Sequence, residues 1–289
     1  GGMFGGGGGG GGGGMLGMMA AAKAAKAAAA ITAVDEEDPW PSTTKSNVYR
    51  ERNDPELLLE LLSAKAEEYD ENARIHDKRP MKMVIFHYAV EHLCRILRVL
   101  DFEAGHMILV GHGGSGRQSL SRLATFCAGH KLMHAHDAHE YDWARWRHEL
   151  WAVLETASKE NVVFLVTQAH LRFDGMLSDL ATIVRGGDVS HLAPESIRME
   201  SAGTTSRPRT ANTTSSSINS FSTPLLDPSI LQSNLHVIIC LSPAGPKFRD
   251  TIRRYQSIRN YCTIDWFGVW PMEALSAVAR GKLDGLELD

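Results

Sequence analysis

The sequence predicts an α/β fold: a mostly parallel sheet covered by helices on both faces. Three observations carry this reading. Beyond Gly105, short apolar runs alternate with stretches of helical periodicity, the rhythm of βαβ units. The run Val162-Val163-Phe164-Leu165-Val166 is apolar at every position, as strands buried on both faces are. A glycine-rich turn separates the first of these runs from the helix that follows it.

Each element follows from local signals. Thirteen of the 27 glycines fall in the first 17 residues, and residues 20–30 hold only alanine and two lysines, so 1–34 reads as a disordered low-complexity tail. Residues 35–52 are a polar, Pro-containing linker, which leaves 53–289 as the folding unit. Asn53-Asp54-Pro55-Glu56 then supplies a helix start: a capping side chain, a proline at the first turn and an acid facing the dipole. Leu57, Leu58, Leu61 and Leu62 give that helix its apolar stripe. A second helix is expected over 81–100, with Val90, Leu93, Leu97 and Leu100 on one face and His87, Glu91, Arg95 and Arg98 on the other. His106–Val110 reads as a strand, 118–127 as a helix stopped by Gly129, 131–135 as a weaker strand and 143–158 as a helix. The strand at 162–166 comes next, then a helix over 175–184 ended by Gly186-Gly187. Residues 235–241 and 261–265 are the last strands. Between the final helix and these strands, 13 of the residues 201–223 are Ser or Thr, too polar to bury a face, so 200–230 reads as a flexible insertion.

Composition excludes several classes. The net charge is −4, and the tail's two lysines leave the remainder more acidic still, which disfavours nucleic acid or an anionic membrane as the main partner. No uncharged apolar stretch reaches membrane-spanning length, and the start lacks the pattern of a secretory signal. Cys94, Cys127, Cys240 and Cys262 are widely spaced and form no C-x-x-C pair, so they read as small hydrophobes in a reducing compartment. A soluble intracellular chain is expected.

The most informative stretch is Gly111-His112-Gly113-Gly114-Ser115-Gly116-Arg117-Gln118-Ser119. It resembles the Walker A pattern GxxxxGK[ST], and it lies between an apolar strand and a helix start, where backbone N–H groups and the helix dipole can point at phosphate. Arg117 stands where a lysine normally reaches the β- and γ-phosphates; its planar fork keeps the charge but not the fit. Gln118 takes the place of the Mg²⁺-binding Ser/Thr, with Ser119 one step along, a turn of about 100° around the helix. The strand at 162–166 should end in the acidic residue that holds Mg²⁺, yet it continues Thr167-Gln168, and no carboxylate follows until Asp174. Binding is compatible with these residues; hydrolysis is expected to be impaired.

With these pieces the chain resembles the dynein heavy chain, specifically the fourth AAA+ module of its motor ring. The resemblance covers 48–198 and 234–289. It rests on Met83-Val84-Ile85-Phe86, Glu91-His92-Leu93, the Gly113–Leu120 block GGSGRQSL, Asn234-Leu235-His236-Val237, Leu241-Ser242-Pro243, Phe248-Arg249, Cys262-Thr263-Ile264-Asp265-Trp266-Phe267 and Trp270-Pro271. Gln118 is a trait of that module and Arg117 is more like axonemal dyneins, whereas Gln168 departs from the family's Thr-Asp. The resemblance implies an AAA+ P-loop NTPase-like fold with parallel strand order 5-1-4-3-2, and ATP or ADP, with Mg²⁺, held between modules. It implies phosphate contacts from residues 111–119, Ser119 as the Mg²⁺ ligand, Ser242 as sensor, and Arg249 and Arg253 facing the preceding module's nucleotide, with Arg253 the candidate finger. As partners it implies neighbouring modules of one heavy chain, other dynein subunits and, only through a stalk, the microtubule. As location it implies cytoskeleton, in the axoneme of a cilium or flagellum. The chain stops at Leu288-Asp289, where the family's stalk begins, so one module of a longer minus-end-directed motor is expected.

Two alternatives stay open beside a regulatory nucleotide-binding module. One is a degenerate scaffold that binds no nucleotide; the other is an independent P-loop ATPase in which Asp174 or Asp179 takes the metal role. His130, His134, His136 and His139, with Asp137 and Glu140, suggest a metal cluster but lack a recognised ligand pattern. Trp143, Trp146 and Trp151 share one helical segment and read as packing residues.

Overall fold

Five short runs of aliphatic and β-branched residues become strands: β1 (His106–Val110), β2 (Lys131–His134), β3 (Val162–Thr167), β4 (Leu235–Leu241) and β5 (Cys262–Trp266). All pair in parallel in the order β2-β3-β4-β1-β5, which is the order expected. The structure is a computed structural model that describes residues 54–76, 80–135, 142–171, 173–193, 226–244 and 246–283. The expected tail and linker, the Ser/Thr-rich stretch up to residue 225, and His136, Asp137, His139 and Glu140 lie outside the described residues.

The helices are α1 (Pro55–Ile75), α2 (His87–Leu100), α3 (Arg117–Cys127), α4 (Trp143–Ala157), α5 (Asp174–Val184), α6 (Pro228–Asn234), α7 (Pro246–Arg254), α8 (Gln256–Tyr261) and α9 (Met272–Leu283). They fall into two compact units, residues 91–270 and the residues before and after them. In the larger unit every residue of β1 and β4 is buried, so both sheet faces are covered. Alternate residues of β1, β3 and β4 divide between those faces. Ile108, Phe164, Val166 and Ile239 join Trp146, Leu150 and Leu154 of α4 and Leu180 of α5 in one apolar cluster. The opposite side chains, Met107, Leu109, Val163 and Leu165, are equally buried, as are Leu120, Leu123 and Ala124 of α3. In the smaller unit, Asp54 caps α1 by accepting from Leu57 N–H at 3.0 Å, ahead of a first-turn proline, as the sequence predicts.

Two expectations need correction. The helix expected over 81–100 begins only at His87, because residues 81–86 take no regular secondary structure. The Asp70 carboxylate accepts from Met81 N–H at 2.7 Å and Lys82 N–H at 2.9 Å, and Lys82 adopts φ 47°, which a helix does not permit. Along α2 the expected Val90, Leu93 and Leu100 are buried, and His92 and Ile96 are buried with them, while Leu97 is half-buried. The expected insertion also ends too late: Asp227 accepts from Ser229 N–H and starts α6 at Pro228, inside 200–230. Among the described residues no helix is long and apolar enough to cross a membrane. The four cysteines are free, and burial pushes the Cys240 and Cys262 thiols up to about 12, which leaves them inert.

Candidate functional site

The glycine-rich loop joins the end of β1 to the start of α3. Gly111 continues the sheet, donating its N–H to Leu241 O at 3.0 Å. A Cβ at Gly111 would lie 2.8 Å from Phe267 Cβ and 2.9 Å from Ser115 Oγ, so only glycine lets the chain pass between them. Gly114 and Gly116 have φ 82° and 85°, the left-handed turns that fold the loop back into α3, and Gly116 is the helix N-cap. A Cβ at Gly113, Gly114 or Gly116 would meet nothing within 4 Å. The loop is therefore open at these three glycines, and first-turn N–H groups of α3 without helical partners are free to bind a ligand. An anionic phosphate suits that donor set. His112 and Gln118 are exposed, while Ser115, Gly116, Arg117 and Ser119 are half-buried.

Arg117, the first residue of α3, turns its guanidinium back onto the loop. Nε donates to Ser115 Oγ at 3.0 Å, Nη2 to His112 O at 3.0 Å, and Nη1 to Leu241 O. Burial lowers its pKa from the ordinary arginine value.

On the other side of β4, Gln168 follows the last residue of β3. Its backbone N–H donates to Cys240 O at 3.0 Å, and its Oε1 accepts from Ser242 N–H at 2.8 Å. The carboxamide therefore extends the β3–β4 ladder by one rung. Ser242 directly follows the last residue of β4, and its Oγ accepts from Ala244 N–H at 3.3 Å. Gln168 and Ser119 supply neutral donors only, and among the described residues no three His, Cys, Asp or Glu side chains group to hold a metal. The residues do not fit Mg²⁺ as a protein-held ion.

Of the substitute carboxylates, Asp174 opens α5, pairs with Arg254 at 2.5 Å and lines, with Gln168, Leu241 and Tyr255, one cleft of about 320 Å³. Asp179 is buried in α5, where it accepts from Trp146 Nε1 at 3.0 Å; burial raises its pKa, with Trp146, Arg147 and His191 opposing. It buttresses α4, so the metal role considered for it is corrected. Trp146 and Trp151 are buried packing residues, while the half-exposed Trp143 lies over Gly175. Arg249 and Arg253 are exposed on α7. His134 is exposed at the end of β2, and His130 stacks on His236 at 5.2 Å between ring centroids.

Sequence reasoning missed one constellation next to the loop. His92 Nδ1 lies 2.6 Å from Asp265 Oδ2, Arg95 Nη1 donates to Asp265 Oδ1 at 3.2 Å, and the His92 ring stacks on Phe267 at 3.9 Å. The only local signal was a histidine on the apolar side of a helix; the partner lies 173 residues away.

A five-stranded parallel sheet in this order, with a glycine-rich loop between its β1 and the following helix, defines an AAA+ P-loop module. The chain belongs to the dynein heavy-chain motor family, as the match of residues 81–289 to "P-loop containing dynein motor region D4" shows. It is 32% identical over 239 residues to human dynein axonemal heavy chain 3, covering 80% of this chain and 6% of that protein. It is 34% identical over 221 residues to human dynein axonemal heavy chain 1, covering 74% and 5%. It is also 34% identical over 247 residues to the dynein-1-beta heavy chain, flagellar inner arm I1 complex, of Chlamydomonas reinhardtii, covering 83% and 5%. The chain thus spans about 5–6% of the length of these relatives.

Proposed function

We propose that this chain is an ATP- or ADP-binding AAA+ module of an axonemal dynein heavy chain, whose nucleotide is a structural or regulatory ligand rather than a fuel. The observation that carries this reading is a glycine-rich loop between β1 and α3, within the residues matched to a P-loop family, beside Gln168 in place of an acid. A bound nucleotide would supply a polyphosphate charge around which neighbouring elements order. Backbone N–H groups of residues 113–119 bind that charge and Arg117 can reach it. Ser242 reads the loop from the end of β4, and Arg253 faces a neighbouring module. Gln168 has neither the charge to offset a metal nor the basicity to take a proton from water, so turnover is negligible. Neighbouring modules of the same heavy chain and other subunits of a dynein complex are the partners, microtubules are engaged through other parts of the motor, and the axonemal cytoskeleton is the location. Resemblance to axonemal and flagellar heavy chains supports those assignments.

Calorimetric titration of the chain with ATP and ADP, with and without Mg²⁺, tests binding. Ligand at about 100 times its dissociation constant should stabilise the fold by about 2.7 kcal/mol. Turnover by the unaltered chain should stay at background, and Gln168→Asp should raise it about 10²- to 10⁴-fold, the range of a positioned acid or base. Robust Mg²⁺-dependent hydrolysis by the unaltered chain would refute the reading. A nucleotide-free scaffold is the second reading, favoured by the engagement of three Arg117 donors within the protein. Absence of both heat and thermal shift would establish it.

A further inference from the structure

The two residues that depart from ordinary phosphate-loop chemistry meet at one peptide bond. The Leu241 carbonyl accepts from Gly111 N–H at 3.0 Å and from Arg117 Nη1, while the Ser242 N–H on the other side of that bond donates to Gln168 Oε1 at 2.8 Å. The remaining Arg117 contacts run to His112 O and Ser115 Oγ, both at 3.0 Å, inside the loop itself. One guanidinium therefore ties the start of the loop, its middle and the end of β4 together. The Gln168 carboxamide anchors the same peptide from the β3 side.

The residue types matter for this arrangement. A lysine ammonium carries its donors on a single atom and cannot span three acceptors that a planar fork spans. An aspartate in place of Gln168 is one methylene shorter. Hydrogen bonds in series polarise one another, so a Ser242 N–H held by Gln168 makes the Leu241 carbonyl a better acceptor for Arg117.

We propose that Arg117 and Gln168 form a latch that holds the phosphate loop against the end of β4 in the nucleotide-free chain, and that an incoming phosphate must win Arg117 from the Leu241 and His112 carbonyls. The latch rests on the nucleotide-binding reading only for its competitive role. A loop that gathers N–H donors around open space needs something to keep its shape when no anion is bound. Arg117 supplies it from within, so the loop stays folded but binds phosphate less tightly than its glycines alone would allow. Arg117 is then a positioning residue first and a phosphate contact second.

The test uses the full chain and the variants Arg117→Lys, Gln168→Ala and the double variant. Hydrogen–deuterium exchange of the 111–116 amides is followed without nucleotide, and ADP affinity is measured by calorimetry. Arg117→Lys breaks the latch but keeps a charge that can reach phosphate. It should speed loop exchange about tenfold and tighten ADP binding about fivefold. Gln168→Ala should do the same to a smaller degree, and should add nothing in the Arg117→Lys background. Unchanged loop exchange in Arg117→Lys overturns the latch whatever ADP does. Faster exchange with ADP binding unchanged or weakened overturns the competition with phosphate. Additive effects of the two substitutions overturn their coupling. Faster exchange with no ADP binding by any variant upholds the latch and overturns the nucleotide reading instead. Should Arg117→Lys fail to fold, Gln168→Ala alone decides, since faster loop exchange supports the latch and unchanged exchange refutes it.

Discussion

Gly111 has no room for any side chain. A methyl group there would press on Phe267 Cβ at 2.8 Å, and Phe267 is itself 1% exposed and hydrogen-bonded through its N–H to Val110 O at 2.7 Å. Overpacking of this kind costs about 1–3 kcal/mol. Gly111→Ala should lower the thermal midpoint accordingly, and an unchanged midpoint would show that the loop is softer than described. At the other end of the strands, His106 and His236 are buried. His106 Nδ1 accepts from Val237 N–H at 3.0 Å, and His236 Nδ1 donates to Gly105 O at 2.9 Å. Burial first, and then its neighbour His236, push the His106 pKa down to about 4; burial also lowers His236. Folding therefore disfavours protonation of both rings, and the unfolded chain takes up the extra protons near the ordinary value of 6.5. The His106 contribution is complete above that value and is lost as pH falls from 6.5 towards about 4, and the His236 contribution is lost in the same direction. Denaturant unfolding should show a loss of about 2 kcal/mol between pH 7 and 5, flattened in His106→Asn, whose Oδ1 can accept the Val237 bond.

Elements are tied together by contacts that no local pattern announces. Asp265 on β5 is buried with His92 of α2, and Arg95 reaches it from the rim. Removing one partner of a buried pair strands the other, at about 3–5 kcal/mol. Asp265→Asn should destabilise the chain by an amount in that range, while Glu91→Gln, which touches only the exposed Arg95 pair at 3.4 Å, should change stability by less than about 0.5 kcal/mol. Equal effects would mean that the buried pair carries nothing. The strands were legible because each is a short apolar run bounded by turn residues, and β1 and β4 match their expected limits. The helices α7, α8 and α9 were not, because short amphipathic turns beside a strand carry little periodic signal. Residues 81–86 misled because the Asp70 contacts that hold Met81 and Lys82 out of the helix come from 11 and 12 positions away. At the candidate site the residue types Arg117 and Gln168 could be read directly. Their meeting at one peptide bond could not, since Leu241 lies 124 residues from Arg117 and Ser242 lies 74 from Gln168.

At the scale of the whole molecule, the sheet order decides which parts open last. The fully buried β4 lies between β3 and β1, whereas β2 is an end strand with exposed Lys131 and His134. Amides of β4 should exchange at least about 100-fold more slowly than those of β2, because edge strands open by local fluctuation and central ones only with the whole fold. Comparable rates would mean that the sheet opens as one unit. An AAA+ module covering 5–6% of its relatives' length carries the five-stranded parallel sheet and the glycine-rich loop, so the proposed nucleotide binding can be tested on this chain directly.

The stack of His92 on Phe267, with Phe267 wedged against Gly111, has a mechanical consequence. Close-packed interiors are nearly incompressible, and this path contains only an imidazole and a benzyl ring in contact at 3.9 Å. Sideways stress applied to α2 in this region would therefore reach the loop almost undiminished, with no soft residue between to absorb it. His92 and Phe267 thus form a stiff strut from α2 to the glycine-rich loop.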